Sequence, residues 1–251
     1  MSFAAFASRL ADAARAVTML AAVREVEDKS KGGVFDPVTE ADRGAEQAMR
    51  ALIEAEHPDH GIAGEELADR PARGPWRWSL DPIDGTRSFI CGLPTWTTLI
   101  ALLEDGAPIL GLIDAPRLDE RYLGDGKHAW LNGDEIRTST CRALAEARLS
   151  TTDPFLFGGV EAAAFTRLRA AARVTRYGHD AYGYARLAAG AIDLVAESGL
   201  KPHDYNALVP VIRGAGGVVG NWRGGRDLSE GQVLAAATPE LFEQAVALLD
   251  C

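Results

Sequence analysis

A short string at residues 81–86 contains two carboxylates three positions apart, Asp81 and Asp84. The apolar residues before it predict a buried strand that ends at the string. Pro82 fixes one backbone angle and Gly85 permits a tight turn, so the N–H groups that follow can face an anion. Carboxylate oxygens are ligands that Mg²⁺ prefers. The string therefore predicts a site for divalent cations and a phosphate group.

Four other acidic residues, at three places in the chain, are considered for the same site. Glu65 and Glu66 follow a predicted short strand, where at most one of them can point into a cleft and a solvated loop is the alternative. Asp204 precedes an apolar helical segment, where a helix N-cap explains it equally well, and Asp42 has the alternative of a first-turn helix acid. Two Mg²⁺ ions about 4 Å apart can bind the attacking and leaving oxygens of a phosphoryl transfer, which requires several carboxylates. Composition alone does not show that these acids converge.

In the first half of the chain, the predicted elements place these acids at strand ends and in a helix. Helical spacing of apolar residues predicts an amphipathic helix over residues 3–26, and Thr39 is the predicted N-cap of a second helix that runs to about Glu56. Predicted strands cover residues 61–66, 76–80, 95–103 and 109–114. A hairpin is predicted over residues 129–134, because Asn-Gly suits a type I′ turn.

From about residue 148, short apolar strands alternate with helices. We predict strands at 148–151, 174–177, 192–196 and 217–221, and helices at 160–171, 182–189, 205–214 and 239–249. The first half is therefore rich in antiparallel strands and the second half is α/β. We expect one continuous globular unit in which residues 1–145 supply most metal ligands and residues 146–251 complete the active site, with a cleft between them.

Composition limits the classes of partner. The chain has 251 residues, 47% of them hydrophobic, and a formal net charge of −10, which argues against nucleic acid as a partner. Its N-terminus does not resemble a signal peptide, and it has no apolar run of roughly 18 or more residues, so we expect no membrane span. The three cysteines are widely spaced and odd in number, which is typical of reduced thiols in the cytoplasm.

Four blocks in order along the chain resemble the inositol monophosphatase superfamily of metal-dependent phosphatases. They are residues 36–42, 64–66 and 81–86, followed by a glycine-rich block from Asp204 through residues 214–217. The resemblance covers nearly the whole chain. It implies an α/β (α+β) fold with a layered α-β-α-β-α sandwich of the inositol monophosphatase/fructose-1,6-bisphosphatase type. It also implies a homodimer.

The resemblance further implies two or three Mg²⁺ ions as cofactor. Glu65, Asp81 and the backbone carbonyl of Ile83 would hold one ion. Asp81, Asp84 and Asp204 would hold a second. A third, weaker ion would lie mainly in water near Glu65.

The catalytic roles implied by the resemblance fall on residues around the same string. Thr86 together with Glu65, supported by Asp42, would orient and deprotonate the attacking water. The backbone N–H groups of Gly85 and Thr86 would receive the phosphate. Either Lys29 or Lys31 would belong to a mobile loop around the third ion. No covalent enzyme intermediate is required, and no cysteine or serine motif suggests one.

A subgroup within the superfamily matches best. Residues 88–94, 110–116, 149–152 and 199–204 resemble histidinol-phosphate phosphatases of the inositol-monophosphatase type. Inositol phosphatases usually have Trp immediately before the last metal-binding acid, whereas this chain has His203. The resemblance thus implies hydrolysis of L-histidinol phosphate to L-histidinol and phosphate, in histidine biosynthesis.

Residues outside the metal ligands would select the leaving group. Besides Asp84, Gly85, Thr86 and Asp204, the predicted substrate-binding residues are Arg87, Asp180 and Glu197. A carboxylate at Glu197 or Asp180 can pair with the amine or imidazole of histidinol, although each could also be a helix cap or surface acid. The alternatives are an inositol-1-monophosphatase or broader sugar-phosphate phosphatase, and a non-catalytic regulatory binding protein on the same fold.

Overall fold

The computed structural model describes residues 2–21, 26–28, 37–155 and 157–249. Both lysines of the 29–31 loop lie outside these ranges. The helices are α1 Phe3–Thr18, α2 Glu40–Glu56, α3 Thr86–Ile90, α4 Gly159–Ala171, α5 Asp180–Ala188, α6 Pro202–Tyr205, α7 Leu208–Gly214 and α8 Pro239–Leu249. The strands are β1 Glu27–Asp28, β2 Pro37–Val38, β3 Gly61–Gly64, β4 Trp76–Asp84, β5 Thr97–Glu104, β6 Ala107–Ala115, β7 Glu120–Gly124, β8 Ala129–Leu131, β9 Asp134–Glu135, β10 Arg148–Thr151, β11 Val174–Tyr177, β12 Leu194–Glu197, β13 Val218–Gly220 and β14 Val233–Ala236.

Two large sheets form the framework. In the seven-stranded sheet the strands follow chain order from β3 to β9, and all neighbours are antiparallel except β3 and β4. The five-stranded sheet has the order β11-β10-β12-β14-β13, with β10 parallel to both of its neighbours. The small β1–β2 pair is separate. The antiparallel first half and mixed second half agree with the sequence prediction.

Three helical layers enclose the two sheets. Helices α1 and α2 pack on one face of the seven-stranded sheet through a core that includes Phe6, Leu10, Met49 and Trp78. Helices α5 and α7 lie between the sheets, and α4 and α8 cover the far face of the five-stranded sheet. Complete burial of each large apolar side chain stabilises such a core by about 1.5–3 kcal/mol. The predicted α-β-α-β-α sandwich is confirmed.

Two predicted helix boundaries are wrong. The first helix ends at Thr18 rather than near residue 26: the Thr18 hydroxyl donates to the Ala14 carbonyl, and Leu20 beyond it is 85% exposed. The helix predicted at 205–214 begins only at Leu208, as α7, and the short helix α6 before it was not predicted. Pro210 lies in the first turn of α7 and has no N–H to donate to the Asn206 carbonyl, which favours a helix start there.

Other elements were predicted with smaller errors or not at all. Asn132 and Gly133 both have positive φ (52° and 94°), so the predicted type I′ hairpin turn is confirmed. Strands β7 and β14 were not predicted.

The division near residue 145 stays a prediction, although the large sheets lie at 61–135 and 148–236. Within the described ranges, no helix is both long enough and apolar enough to cross a bilayer.

Candidate active site

Strand β4 carries Asp81 and Asp84 and continues through both, rather than ending before them as the sequence suggested. In a regular strand, residues three apart point to opposite faces. The register against β5 is interrupted between Asp81 and Asp84, where Pro82 has no N–H for the ladder. The Thr98 hydroxyl donates to the Pro82 carbonyl at 2.8 Å. This irregularity allows both carboxylates to face one site.

Glu65 lies beside Asp81 because of strand pairing. Strands β3 and β4 are parallel, with Gly64 opposite Leu80, and the Glu65 N–H donates to the Leu80 carbonyl at 3.2 Å. The next residue on each strand is therefore an acid. The charge of Glu65 is among those that raise the pKa of Asp81. The parallel register thus brings together two acids that are distant in sequence.

Asp204 reaches the site from helix α6, of which it is the third residue rather than the N-cap. Its Oδ2 accepts the Lys201 N–H at 2.6 Å, and His203 Nε2 lies 3.4 Å from Oδ1. Just after the helix, Asn206 Nδ2 donates to Ser79 Oγ at 3.2 Å. This buried bond joins α6 to β4, two residues before Asp81.

The structure brings Asp81, Asp84 and Asp204 together, with one carboxylate oxygen of each within 4.8 Å of the others. Burial raises the pKa of Asp81, and the charges of Glu65, Asp84 and Asp204 raise it further. The pKa of Asp84 is raised by burial and by Asp180 and Asp204. Burial also raises the pKa of Asp204. Such shifts are expected where buried carboxylates repel one another without a cation between them.

These residues fit Mg²⁺. All three donors are carboxylates, the type of ligand that this hard cation prefers. Asp81 Oδ1 is buried and has no hydrogen-bond partner within the described part of the chain. A buried charged oxygen without a partner is costly, and a divalent cation would remove that cost. Glu65 is outside the three-residue group but close enough to influence its charge.

Asp42 combines a helix-cap role with proximity to Glu65. Thr39 is the N-cap of α2, and Asp42 Oδ2 accepts both its N–H (2.8 Å) and its hydroxyl (2.5 Å). The predicted cap is therefore confirmed. The other carboxylate oxygen of Asp42 is buried and has no partner among the residues described. Burial and, among the nearby charges, Glu65 raise the pKa of Asp42.

The turn after Asp84 contacts Asp180 closely. Gly85 has φ of +82°, and a Cβ there would lie 2.8 Å from Asp180 Oδ2, so both conformation and space require glycine. Asp180 itself has φ of 47° at the start of α5, and the N–H of Ala181 donates to Asp84 Oδ2 at 2.7 Å. Burial raises the pKa of Asp180. Thr86 Oγ1 donates to the Ile83 carbonyl at 3.1 Å.

Glu197 lies at the end of β12, beside the parallel strand β10. Its Oε1 accepts the N–H (2.6 Å) and the hydroxyl (3.0 Å) of Thr152, and Oε2 accepts the Thr151 hydroxyl at 3.2 Å. Burial raises the pKa of Glu197 to about 8, with a further contribution from the charge of Asp180. The Thr152 side chain is also close enough to Asp180 to oppose the rise in its pKa. Thr152 therefore lies near both of the acids predicted to select the leaving group.

Arg87 is more exposed than the acids. Its guanidinium lies 4.0 Å from the Asp153 carboxylate, and 44% of its side chain is accessible. Its charge acts on the pKa of Asp180, opposing the effect of burial. The location near Asp180 agrees with the predicted neighbourhood; contact with substrate stays a prediction.

Several residues of this site were not predicted. Thr152 had appeared only as part of a resembling string, and the Ala181 N–H has no signature in a sequence. Tyr184, one turn after Asp180 on α5, is completely buried, and its hydroxyl has no partner in the part of the chain described. Burial and the charges of Glu197, Asp84 and Asp204 raise the pKa of Tyr184. Its i,i+4 relation to Asp180 was the available signal.

Comparison with known proteins shows the family to which the chain is similar. The model of the inositol monophosphatase family matches residues 2–251. The chain is 48% identical over 239 residues to the chloroplastic bifunctional phosphatase IMPL2 of Arabidopsis thaliana, covering 94% of this chain and 69% of that protein. It is 36% identical over 218 residues to a histidinol-phosphatase of Chlorobaculum parvum, covering 85% of this chain and 83% of that one.

A solved structure shows the same architecture. An inositol monophosphatase from Zymomonas mobilis superposes with a TM-score of 0.88 at 42% sequence identity, covering 99% of this chain and 98% of that one. Phosphatases with two different named substrates are therefore both similar to this chain.

Proposed function

The chain belongs to the inositol monophosphatase family, and we propose that it is a Mg²⁺-dependent phosphatase that hydrolyses L-histidinol phosphate to L-histidinol and phosphate. The phosphatase activity follows from the family. The observation that carries the substrate proposal is a second pair of acids, Asp180 and Glu197. Asp180 lies beside Gly85 and its charge raises the pKa of Asp84, while Glu197 is buried and hydrogen-bonded by Thr152. A cationic leaving group would complement that pair.

In the proposed mechanism, Asp81, Asp84 and Asp204 would hold the cations, together with Glu65 and the Ile83 carbonyl. Bound Mg²⁺ would supply positive charge that stabilises the phosphoryl oxygens in the transition state and favours deprotonation of the attacking water.

The remaining steps are assigned to protein groups. The Thr86 hydroxyl and Glu65 orient the attacking water, and Glu65 accepts its proton. Asp42 supports Glu65 from the capping turn of α2, where its second oxygen faces no protein donor among the described residues. The N–H groups of Gly85 and Thr86 bind the phosphate at the start of α3. Water attacks phosphorus directly while the bond from phosphorus to the ester oxygen breaks. That oxygen takes up a proton from solvent water, so the alcohol leaves without a covalent enzyme intermediate.

Substrate selection is assigned to acids beside the metal ligands that are not themselves proposed to hold the cations. Asp180 and Glu197 bind the ammonium and imidazole of histidinol, and Arg87 binds the phosphate or its loop. A bound cation would lower the pKa of Glu197 from about 8 by stabilising its ionised form. The name of one similar protein, the histidinol-phosphatase of Chlorobaculum parvum, agrees with this choice.

An inositol phosphatase is the second candidate. The observation that favours it is the Zymomonas mobilis inositol monophosphatase, 42% identical over almost the whole chain. His203 before the last metal-binding acid and the carboxylate of Asp180 beside Gly85 favour histidinol phosphate, because neither suits a neutral polyol in particular. A binding protein without catalysis would not need a group of mutually repelling carboxylates.

A substrate panel tests the proposal. Histidinol phosphate, inositol 1-phosphate, fructose 1,6-bisphosphate and p-nitrophenyl phosphate are compared at saturating Mg²⁺ and in EDTA. We expect kcat/KM for histidinol phosphate to be at least about tenfold higher than for the other three esters, which corresponds to about 1.4 kcal/mol. We expect no turnover of any ester in EDTA. Preference for inositol 1-phosphate would contradict the substrate, and no turnover of any ester would contradict the enzyme.

Two further proposals concern the state of the protein. We propose a homodimer, as the family resemblance implies, which sedimentation equilibrium would test. We also propose a cytoplasmic location: Cys91 and Cys141 are both unpaired, as expected in a reducing compartment.

A further inference from the structure

One face of α2 carries a buried row of charged residues, of which the proposed mechanism uses only Asp42. Asp42, Glu46 and Arg50 follow one another at intervals of four residues, so they share a face of the helix. Glu46 is 0% exposed and Arg50 is 9% exposed. Charged side chains are rarely so deeply buried unless they are paired or have a specific role. The segment that this face contacts is the loop that carries Glu65.

Glu46 binds the N–H groups of that loop. Its Oε2 accepts the Glu66 N–H at 2.8 Å, and its Oε1 accepts the Leu67 N–H at 3.3 Å and the Arg50 Nε at 2.7 Å. A Cβ on Gly64 would lie 2.0 Å from Oε1. The loop backbone therefore approaches the Glu46 carboxylate more closely than any residue with a side chain would allow.

Arg50 binds the carbonyl groups of the same loop. Its two terminal nitrogens donate to the carbonyls of Leu67 (3.1 Å) and Ala68 (3.0 Å). The pair thus satisfies both donors and acceptors of a segment that has no helix or strand of its own. Charge-assisted hydrogen bonds of this kind are about twice as strong as neutral ones.

We propose that Glu46 and Arg50 are positioning residues that hold the 64–68 loop so that Glu65 points toward Asp81. We refer to this pair and its loop contacts as the α2 clamp. The inference rests on the proposed role of Glu65 as a metal ligand. The geometry that supports it is the position of Glu65 between two anchors: its own N–H is bound to β4, and the next two N–H groups are bound to Glu46.

The test is direct measurement of Mn²⁺ binding to the full chain carrying Glu46→Gln, by calorimetry and by electron paramagnetic resonance. Outer partners of metal ligands typically change metal affinity or activity about 10–100-fold. We expect weakening in that range and a matching rise in the Mg²⁺ concentration for half-maximal activity. We expect kcat at saturating Mg²⁺ to stay within about threefold, because the loop is restored when metal occupies the site.

Glu56→Gln is the matched control. Glu56 is on the same helix and binds Arg9 at 2.6 Å, but that ion pair is exposed. We expect its Mn²⁺ affinity to equal that of the unmodified protein. Equal affinity for Glu46→Gln, in a folded protein, would overturn the α2 clamp as a positioning device.

Two more variants keep the inference testable and separate it from the proposed function. If Glu46→Gln does not fold, Arg50→Lys replaces it: the charge opposite Glu46 stays, while the two bonds to carbonyls are lost, and unchanged Mn²⁺ affinity would again overturn the inference. Glu65→Gln is measured in parallel. If it does not weaken Mn²⁺ binding, the proposed metal role of Glu65 fails. If it does while both α2 variants bind normally, the clamp alone fails.

Discussion

Asp81 and Asp193 are nearly equally buried, at 2% and 1% exposure, yet their environments are opposite. Asp193 accepts three bonds from Arg148, from the N–H at 2.8 Å and from two guanidinium nitrogens at 2.7 Å each, and one from the Ser139 hydroxyl. Asp81 is surrounded by other acids and has an oxygen without a partner in the described part of the chain.

The comparison shows that burial alone does not determine charge state. Burial acts to raise the pKa of Asp193, but the bonds from Arg148 and Ser139 outweigh it, and that pKa is lowered. At Asp81, burial and neighbouring acids act together to raise the pKa. One region has its counter-charge within the protein and is structural. Among the described residues the other has no such counter-charge, and we interpret that deficit as the space for cations.

The largest expected effect is loss of activity in Asp84→Asn. This change removes a proposed metal ligand with little change in volume. We expect kcat/KM at saturating Mg²⁺ to fall by more than the roughly 10–100-fold typical of partners outside the ligand group. Circular dichroism should show an intact fold, and metal-free stability should not fall, because one repelling charge is removed.

The control for this variant is Asp193→Asn, which weakens the paired region instead. We expect the free energy of unfolding to decrease by about 1–3 kcal/mol, because charged hydrogen bonds are lost at a buried acceptor. Activity per folded molecule should not change. If Asp84→Asn kept most of its activity, or Asp193→Asn lost it while folded, the distinction between the two regions would be wrong.

A smaller effect is expected in the pH dependence of stability. Raised pKa values at Asp81, Asp84 and Asp204 give a contribution that is complete below the unfolded pKa near about 4 and is lost as pH rises through the folded pKa values. In EDTA, these three groups should therefore make the midpoint temperature of thermal unfolding lower at pH 8 than at pH 5. Asp193 has the opposite sign, with stability lost as pH falls through its lowered pKa.

Added Mg²⁺ separates these contributions. At pH 8 and about 100 times its dissociation constant, a bound ion stabilises the folded state by about 2.7 kcal/mol. At pH 5 the increase should be smaller, because protons compete for the carboxylates. An equal increase at both pH values would contradict the assignment of the raised pKa values to the metal site.

The smallest effect concerns Glu197. Its environment is intermediate between those of Asp193 and Asp81, because its hydrogen-bond partners are neutral donors. Glu197→Gln should raise KM for histidinol phosphate about tenfold, equivalent to about 1.4 kcal/mol. The KM for an uncharged phosphate ester should change much less. Equal changes for both substrates would argue against a contact with the amine and would leave Glu197 with a structural role.

The sequence allowed prediction of the acids, because they stand in local strings, and of the layered fold, because four ordered blocks resemble a known family. The cap at Thr39 and the turn at Asn132-Gly133 were predictable for the first of these reasons: their hydrogen bonds and dihedral angles involve residues next to one another. The end of α1 was not, because tertiary contacts and the exposure of Leu20 decide it.

Contacts between distant segments could not be read from the sequence. The break in β4 pairing that turns Asp81 and Asp84 to one side depends on β5, and the donors to Glu197 come from a strand 45 residues away. The burial of the Tyr184 hydroxyl and the α2 clamp are likewise products of packing. The sequence indicated which residues carry the chemistry, whereas the contacts that position those residues could be identified only in the folded structure.

The central claim is that Asp81, Asp84 and Asp204 form a divalent-cation site. Anomalous diffraction from crystals of the full chain grown or soaked in Mn²⁺ tests it most directly, because Mn²⁺ accepts the same oxygen ligands as Mg²⁺. We predict an anomalous peak within coordination distance of all three carboxylates, absent in Asp84→Asn and present in Asp193→Asn. A site without a peak at saturating Mn²⁺, or peaks confined to acids elsewhere on the surface, would contradict the account.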